Sequence, residues 1–213
     1  MNAPGFFIVL EGTEGSGKST LLQPLADRMR NAGVEAVVVR DPGGTRAAEI
    51  ARQALLDPDH HMGPVAELFF YLAARADLVE RIIRPALAEG RVVLSDRFAL
   101  STEAYQLVGR GLPREVVLPA NRAAAGGLFP DLTLILDLPP EVGQARQVAA
   151  GKRLDRLDRE STEFHRRVIE YYLAIQGEAV RHLDGCLPPD RLLQAAWTAV
   201  TDAAPARFGG QSV

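Results

Sequence analysis

The chain has 213 residues, 47% hydrophobic and 24% charged, enough apolar material for one sizeable core and a single domain. A net charge of −3 argues against a broad basic surface for nucleic acid, so an anionic ligand must be met by local arginines and lysines. The one cysteine, Cys186, excludes an internal disulfide and a thiolate metal cage, and is expected to serve packing.

Met1–Gly5 lacks the basic stretch of a signal peptide, and the apolar run Phe6–Leu10 is far too short to span a membrane. A cytoplasmic protein with no membrane or nucleic-acid partner is expected. Phe6–Leu10 has strand length. Behind it stands Gly12-Thr13-Glu14-Gly15-Ser16-Gly17-Lys18-Ser19-Thr20, with the spacing G-x-x-x-x-G-K-S, and Leu21, Leu22, Leu25, Ala26 and Met29 follow at helical spacing. Strand, glycine-rich turn and helix together are the context of a phosphate-binding P-loop. The glycines let backbone N–H groups point inward, and the helix N-terminus adds positive potential. Lys18 can reach the outer phosphates, and Ser19 can place its hydroxyl on Mg²⁺. The loop implies a nucleoside triphosphate but not what is done with it.

The first helix is expected from Lys18 to before Gly33, a strand over Val34–Val39, and a helix over about Arg46–Leu56. Between them Asp41-Pro42-Gly43-Gly44 matches D-x-x-G, but it follows the loop closely and no N-K-x-D stretch occurs, so it reads as a tight turn. His60 and His61, adjacent and without a spaced third ligand, read as a solvated loop. Val65 to about Glu89 is a long helical pattern that Pro85 should bend or divide. On it Glu67, Tyr71 and Arg75 are spaced i, i+4, i+8 and share one face. That face suits either packing with a salt bridge or a flat heterocycle stacked on Tyr71 with Arg75 donating to a ring carbonyl.

Arg91–Ser95 reads as a strand buried on both faces, Leu112–Ala125 as a helix, and Leu132–Leu136 as a further buried strand. Helices are expected over Glu141–Ala150, Ser161–Val180 and Leu192–Ala203, a short strand at Arg181–Leu183, and a mobile tail from Arg207 to Val213. Strands alternating with helices imply a mostly parallel sheet covered on both faces, with ligands at its C-terminal edge. Glu11-Gly12, Arg40–Thr45, Asp96-Arg97-Phe98 and Asp137 all fall there. Asp96 can hold Mg²⁺ opposite Ser19 and Arg97 can take a phosphate bidentately; the alternative is a strand-end ion pair. The charge-rich stretch Gly151–Glu160 is either a solvated loop or a flap that closes cations over phosphates.

These clusters together resemble thymidylate kinases, from Phe6 to about Leu183. The carrying motifs are FIVLEGTEGSGKST, RDPGGT, FYLAAR, DRFALSTEAYQLVGRG, PDLTLILDLPPEVG and LDRLDRE, in that order. The resemblance implies the P-loop nucleoside monophosphate kinase fold: one domain over residues 1–213, a five-stranded parallel sheet covered by helices on both faces, and a mobile lid at about 146–160. It also implies transfer of the ATP γ-phosphoryl group to dTMP, with Mg²⁺, and a homodimer; rival readings are a kinase for another nucleoside monophosphate or a nucleotide-dependent switch.

By the same resemblance Gly12 to Thr20 serve ATP, and Arg97 holds the dTMP phosphate against the γ-phosphate. Tyr71 stacks on thymine, Arg75 bonds its exocyclic oxygen, and Gln106 helps read the base edge. Tyr105 sits beneath the deoxyribose, Glu14 approaches the sugar or the metal shell, and Asp41, Pro42 and Ser101 complete the monophosphate site. The loop carries no arginine at Glu14-Gly15-Ser16, as in the bacterial type that supplies the catalytic cation from the lid. Arg153 with Lys152 is the expected source, with Arg146 and Arg156 as alternatives. Asp41 stands where glutamate is usual, Tyr71 where phenylalanine is usual, and Leu107-Val108 where glycine is common. An apolar face around Leu68, Phe69 and Leu72 belongs either to the core or to a dimer surface.

Overall fold

A computed structural model describes residues 4–149, 151 and 155–208. Five strands, β1 (Phe6–Glu11), β2 (Ala36–Arg40), β3 (Val92–Asp96), β4 (Leu132–Asp137) and β5 (Val180–Asp184), form one all-parallel sheet in the order β2-β3-β1-β4-β5. β1 lies in the middle: the chain lays β2 and β3 on one side of it, then crosses to β4 and β5 on the other. The loop after it therefore opens at the topological switch point, at the C-terminal edge.

The side-chain alternation of the strands feeds two cores. Ile8, Leu10, Val92, Leu94, Leu132, Leu134 and Leu136 pack on Leu21, Leu25 and Met29 of α1 (Lys18–Asn31) and on Ala196 and Val200 of α9 (Pro189–Ala203). Phe7, Val9, Val39 and Val93 face the other way, onto Leu78, Val79, Ile83 and Phe98. This two-sided burial explains why β1, β3 and β4 read as near-continuous apolar runs.

α2 (Arg46–Leu56) starts where expected because the Thr45 hydroxyl accepts the Ala48 N–H at 3.1 Å. The long helical pattern runs unbroken through α3 (Pro64–Leu78), a π-helical turn (Val79–Ile83) and α4 (Arg84–Ala88). There the Arg84 N–H bonds the Val79 carbonyl, one residue further back than in an α-helix. The widened turn accommodates Pro85, so the helix is neither divided nor ended there. A second π-helical segment, Glu103–Gly109, follows the short α5 (Ala99–Thr102) and precedes α6 (Arg114–Ala124).

Three expectations need correction. The helix begun at Ser161 is α8 (Thr162–Ala174); its end comes at Ile175, which turns extended so that the chain can enter β5 beside β4. Of the tail expected to be mobile, Arg207 and Phe208 are held in place, and 209–213 lie outside the described residues. The two held residues lie in α10 (Pro205–Phe208), where Arg207 bonds the Gly90 and Pro4 carbonyls and Phe208 is buried against Phe6 and Trp197. Cys186 is exposed, in the turn after β5, rather than packed. His60 and His61 are exposed in their loop.

His182 on β5 carries a pH-dependent part of the stability. Its Nδ1 lies 2.9 Å from Asp137 Oδ2 and its Nε2 2.8 Å from the Ile175 carbonyl, so both nitrogens face acceptors. Burial works against the charged ring, but the Ile175 carbonyl and the Asp137 carboxylate raise its pKa above the ordinary imidazole value. A raised histidine pKa adds stability that is complete below the unfolded value, about 6.5, and is lost as pH rises through the folded one. The Tm difference between the wild type and His182→Gln is therefore expected to be larger at pH 5.5 than at pH 8.5. A pH-independent difference in thermal melts would exclude this role.

Candidate active site

The loop after β1 wraps closely on its surroundings. Gly12 has φ 133°, and a Cβ there would lie 2.7 Å from the Leu136 carbonyl oxygen. Gly15 packs against Gly143 of α7 (Pro140–Ala149), where a Cβ would meet the Gly143 carbonyl oxygen at 2.6 Å. Lys18, the first residue of α1, is buried, and its ammonium donates to the carbonyls of Gly12 and Thr13, both at 2.8 Å, and to Ser16 Oγ at 3.2 Å. Burial, and then the Arg97 charge, push its pKa down to about 8. Ser19 and Thr20 are exposed at the helix start. Ser19 Oγ lies 3.4 Å from Asp96 Oδ2, while Asp96 Oδ1 is buried with no hydrogen-bond partner among the described residues. A hydroxyl and a carboxylate with a spare buried oxygen are hard donors that suit a small divalent cation whose other positions are filled by water and phosphate.

Arg97 follows β3 with φ 71°, a conformation that side-chain-bearing residues seldom adopt. The turn is pinned from several sides. Its N–H donates to the Leu10 carbonyl, and Ser95 Oγ donates to its carbonyl. The buried Glu11 carboxylate accepts the Phe98 and Ser101 N–H groups, the Ser101 hydroxyl and the Tyr172 hydroxyl. Burial pushes the Glu11 carboxyl up against these bonds and the Arg97 charge. The Arg97 guanidinium donates to Glu14 at 2.7 Å, Ser101 at 3.0 Å and Tyr105 at 3.2 Å, and sits 5.0 Å from the centre of the Tyr105 ring. Burial raises the Glu14 pKa, but the charges of Arg97 and Lys18 and the Tyr105 hydroxyl hold it below the ordinary range.

Glu67, Tyr71 and Arg75 do share one face of α3, and all three are buried. The Arg75 guanidinium donates to Asp41, Asn121 and the Phe98 carbonyl at 3.1 Å, so the salt bridge of the packing reading is present. Tyr71 and Arg75 nevertheless line the same cleft as Asp41, Pro42, Arg97, Ser101, Tyr105 and Gln106. The Tyr71 hydroxyl makes no hydrogen bond to a described residue. The cleft, about 730 Å³, continues past Lys18 and Ser19 to Gly185, Leu187 and Leu192 on the far side of the loop. One cavity thus joins the phosphate loop to an aromatic pocket, room for two ligands end to end.

Residues 10–193 match the family model described as thymidylate kinase. The chain belongs to the thymidylate kinase family. It is 50% identical over 179 residues to the thymidylate kinase of Ectopseudomonas mendocina, covering 84% of this chain and 85% of that one. The thymidylate kinase of Thermomicrobium roseum is 44% identical over 200 residues, 92% of this chain and 95% of that one. That of a Synechococcus species is 43% identical over 208 residues, 96% and 98% of the two chains.

Of the residues expected in this kinase's site, Glu14, Lys18, Ser19, Asp41, Pro42, Tyr71, Arg75, Asp96, Arg97, Ser101, Tyr105 and Gln106 line the one cleft. Lys152 and Arg153 lie outside the described residues. Arg146 sits on α7 and donates to the carbonyls of Gly15 and Gly185, clamping the loop to the turn after β5. Arg156 donates to Glu67 at 2.5 Å and to the Leu55 carbonyl, so this part of the charge-rich stretch is docked rather than solvated. Asn121, which bonds Arg75, and Tyr172, which meets Arg97 at 3.5 Å, carry no sequence signal beyond their types; they meet the site from distant elements.

Proposed function

We infer that the chain transfers the γ-phosphoryl group of ATP to dTMP, giving dTDP and ADP. The observation that carries the reading is the continuous cleft from the P-loop, past Arg97, to the pocket of Tyr71, Arg75 and Gln106. In the proposed arrangement Gly12 to Thr20 cradle the triphosphate, and the adenine end lies toward Leu187 and Leu192. Thymine stacks on Tyr71, with Arg75 donating to its 4-carbonyl and Gln106 facing its edge. Tyr105 lies under the deoxyribose with Ser101, Asp41 and Pro42 around it. Arg97 holds the acceptor phosphate.

A dTMP phosphate oxygen then attacks the γ-phosphorus in line as the bond to the β–γ bridging oxygen breaks and ADP leaves. Without a phospho-enzyme the protein's work is positioning and charge neutralisation, and the acceptor, already an anion, needs no strong base. Mg²⁺, which Ser19 and Asp96 would hold, neutralises charge on the β- and γ-phosphates when bound. Lys18 gives up its loop carbonyls for the phosphates. The lid, 146–160, closes over them and excludes water.

The test is ADP release with ATP, Mg²⁺ and each of dTMP, dUMP, dCMP, dGMP, dAMP and UMP. Strong preference for dTMP is expected. Preference for another monophosphate would keep the P-loop chemistry and overturn the base pocket, and no acceptor-dependent release would point to a nucleotide-dependent switch. For the lid, Arg153→Ala is expected to lose kcat with little change in the KM for dTMP, whereas unchanged kinetics would move the role to Lys152, Arg146 or Arg156.

We place the protein in the cytoplasm as a homodimer. No described helix is long and apolar enough to cross a membrane. Leu68 and Leu72 belong to the core, but Phe69 is exposed, and Val65, Ala66, Phe70 and Ala73 continue its face of α3 toward exposed Ile50 on α2. An apolar face across two adjacent helices fits a second copy of the same chain. Phe69→Asp is expected to convert a sedimenting dimer to a monomer; a monomeric wild type would exclude the assignment.

A further inference from the structure

Glu67 lies behind the base pocket, fully buried, and does not line the cleft. Three groups converge on its carboxylate. Gln106 Nε2 donates at 2.7 Å, Arg110 donates through Nε and Nη2, the latter at 2.8 Å, and Arg156 donates through Nη1 at 2.5 Å. Burial alone would raise its pKa, but the Arg110 and Gln106 hydrogen bonds and the charges of Arg110 and Arg156 lower it. Glu67 is therefore an anion facing two guanidinium groups, and an ionised carboxylate can only accept hydrogen bonds.

That fact decides which way the Gln106 amide points. An amide beside an acceptor-only group must present its NH₂ to it. Its carbonyl oxygen is then left for the other side, where Gln106 lines the cleft beside Tyr71, Arg75 and Thr102. The Gln106 Oε1 has no hydrogen-bond partner among the described residues. The segment that carries Gln106 is the π-helical one, in which the Arg110 N–H reaches back five residues to the Tyr105 carbonyl at 2.8 Å. That widened turn is what buries three successive side chains, Ala104, Tyr105 and Gln106, and brings Gln106 and Arg110 together onto Glu67.

We propose that Glu67 is a specificity-determining positioning residue: by fixing the Gln106 amide with its oxygen toward the base, it makes the pocket demand a ring N–H, and so accept pyrimidines with a protonated N3 and reject cytosine. The inference rests on the thymine pocket proposed above. Thymine and uracil offer an N3–H to that oxygen, and cytosine meets it with a lone pair. Glu67 acts through Gln106 and touches no substrate.

Glu67→Gln has nearly the same shape but an amide that can accept or donate, so Gln106 becomes free to invert. The ratio of kcat/KM for dTMP to that for dCMP is expected to fall about tenfold in Glu67→Gln, the scale of one misplaced buried hydrogen bond. Glu67→Asp, which keeps an acceptor-only carboxylate, is expected to retain the preference. Gln106→Met, which removes the amide, is expected to lower the ratio as Glu67→Gln does, and the double variant to lower it no further. A purely structural Glu67 would depress both substrates equally and leave the ratio at the wild-type value, which overturns the proposal. Should Glu67→Gln fail to fold, Gln106→Met and Glu67→Asp decide: a wild-type ratio in Gln106→Met, or a lost preference in Glu67→Asp, overturns it. A wild type with no preference for dTMP over dCMP would instead overturn the pocket itself.

Discussion

Lys18→Ala is expected to lower kcat by about 10²- to 10³-fold, the scale for loss of a charge clamp on a transferring phosphoryl group. The buried ammonium has three loop partners, Gly12, Thr13 and Ser16, and none of them is charged. Its ionised form is disfavoured there by burial and by Arg97. The group is thus held at an electrostatic cost that an incoming triphosphate offsets, which is the arrangement expected of a side chain kept for binding rather than for stability. Thermal stability of the nucleotide-free variant should accordingly change far less than turnover. Steady-state kinetics with ATP and dTMP, paired with thermal melts, read both quantities. Near-normal kcat would exclude the phosphate role; a collapse of Tm matching the loss of kcat would make Lys18 a structural residue.

The sheet and the phosphate loop were legible in the sequence because their physics is local. Each central strand is a run of large apolar residues, and the loop's function depends on glycines, a lysine and a serine at fixed spacing. α2 was legible to the residue, since Thr45 caps it and Pro42-Gly43-Gly44 cannot continue a helix backwards. The Glu67–Tyr71–Arg75 face was legible from spacing alone. The Glu103–Gly109 segment was not, because π-helical geometry departs from the 3.6-residue period and leaves Ala104, Tyr105 and Gln106 all buried in succession. The end of α8 was missed because the apolar residues Leu173, Ala174 and Ile175 continue the pattern past the point where the chain must turn into β5.

What the sequence could least reveal was which polar groups hold the site residues. Glu11 reaches Tyr172, Arg75 reaches Asn121, and Glu67 reaches Arg156, across 161, 46 and 89 residues of sequence. No spacing rule links such pairs, although each residue type was visible. The salt bridge of Arg75 to Asp41 also shows that packing and binding readings of one face need not compete. An arginine with five donors can spend three on the protein and still line the cleft.

Arg97→Ala is expected to cut kcat/KM for dTMP by about 10³-fold, through both a higher KM and a lower kcat, because the planar fork proposed to grip the acceptor phosphate is lost at the reacting end of the substrate. Part of that loss has a separate origin. Glu14 is paired with Arg97 at 2.7 Å and shares the Tyr105 hydroxyl with it. Without the guanidinium, the Glu14 carboxylate would face the acceptor phosphate as a like charge, with its main counter-charge gone and only Lys18 and the Tyr105 hydroxyl left to temper it. Glu14→Gln in the Arg97→Ala background is therefore expected to recover roughly tenfold in KM for dTMP, the order of one removed close repulsion, but none of the kcat. Recovery of kcat as well would mean that Arg97 merely neutralises Glu14. No recovery at all would mean that Glu14 lies away from the phosphate. The same variants test the strained backbone: Arg97→Gly, which suits φ 71°, should match Arg97→Ala in kinetics while melting at a higher temperature. A site that keeps a strained arginine where glycine would fit keeps it for the guanidinium.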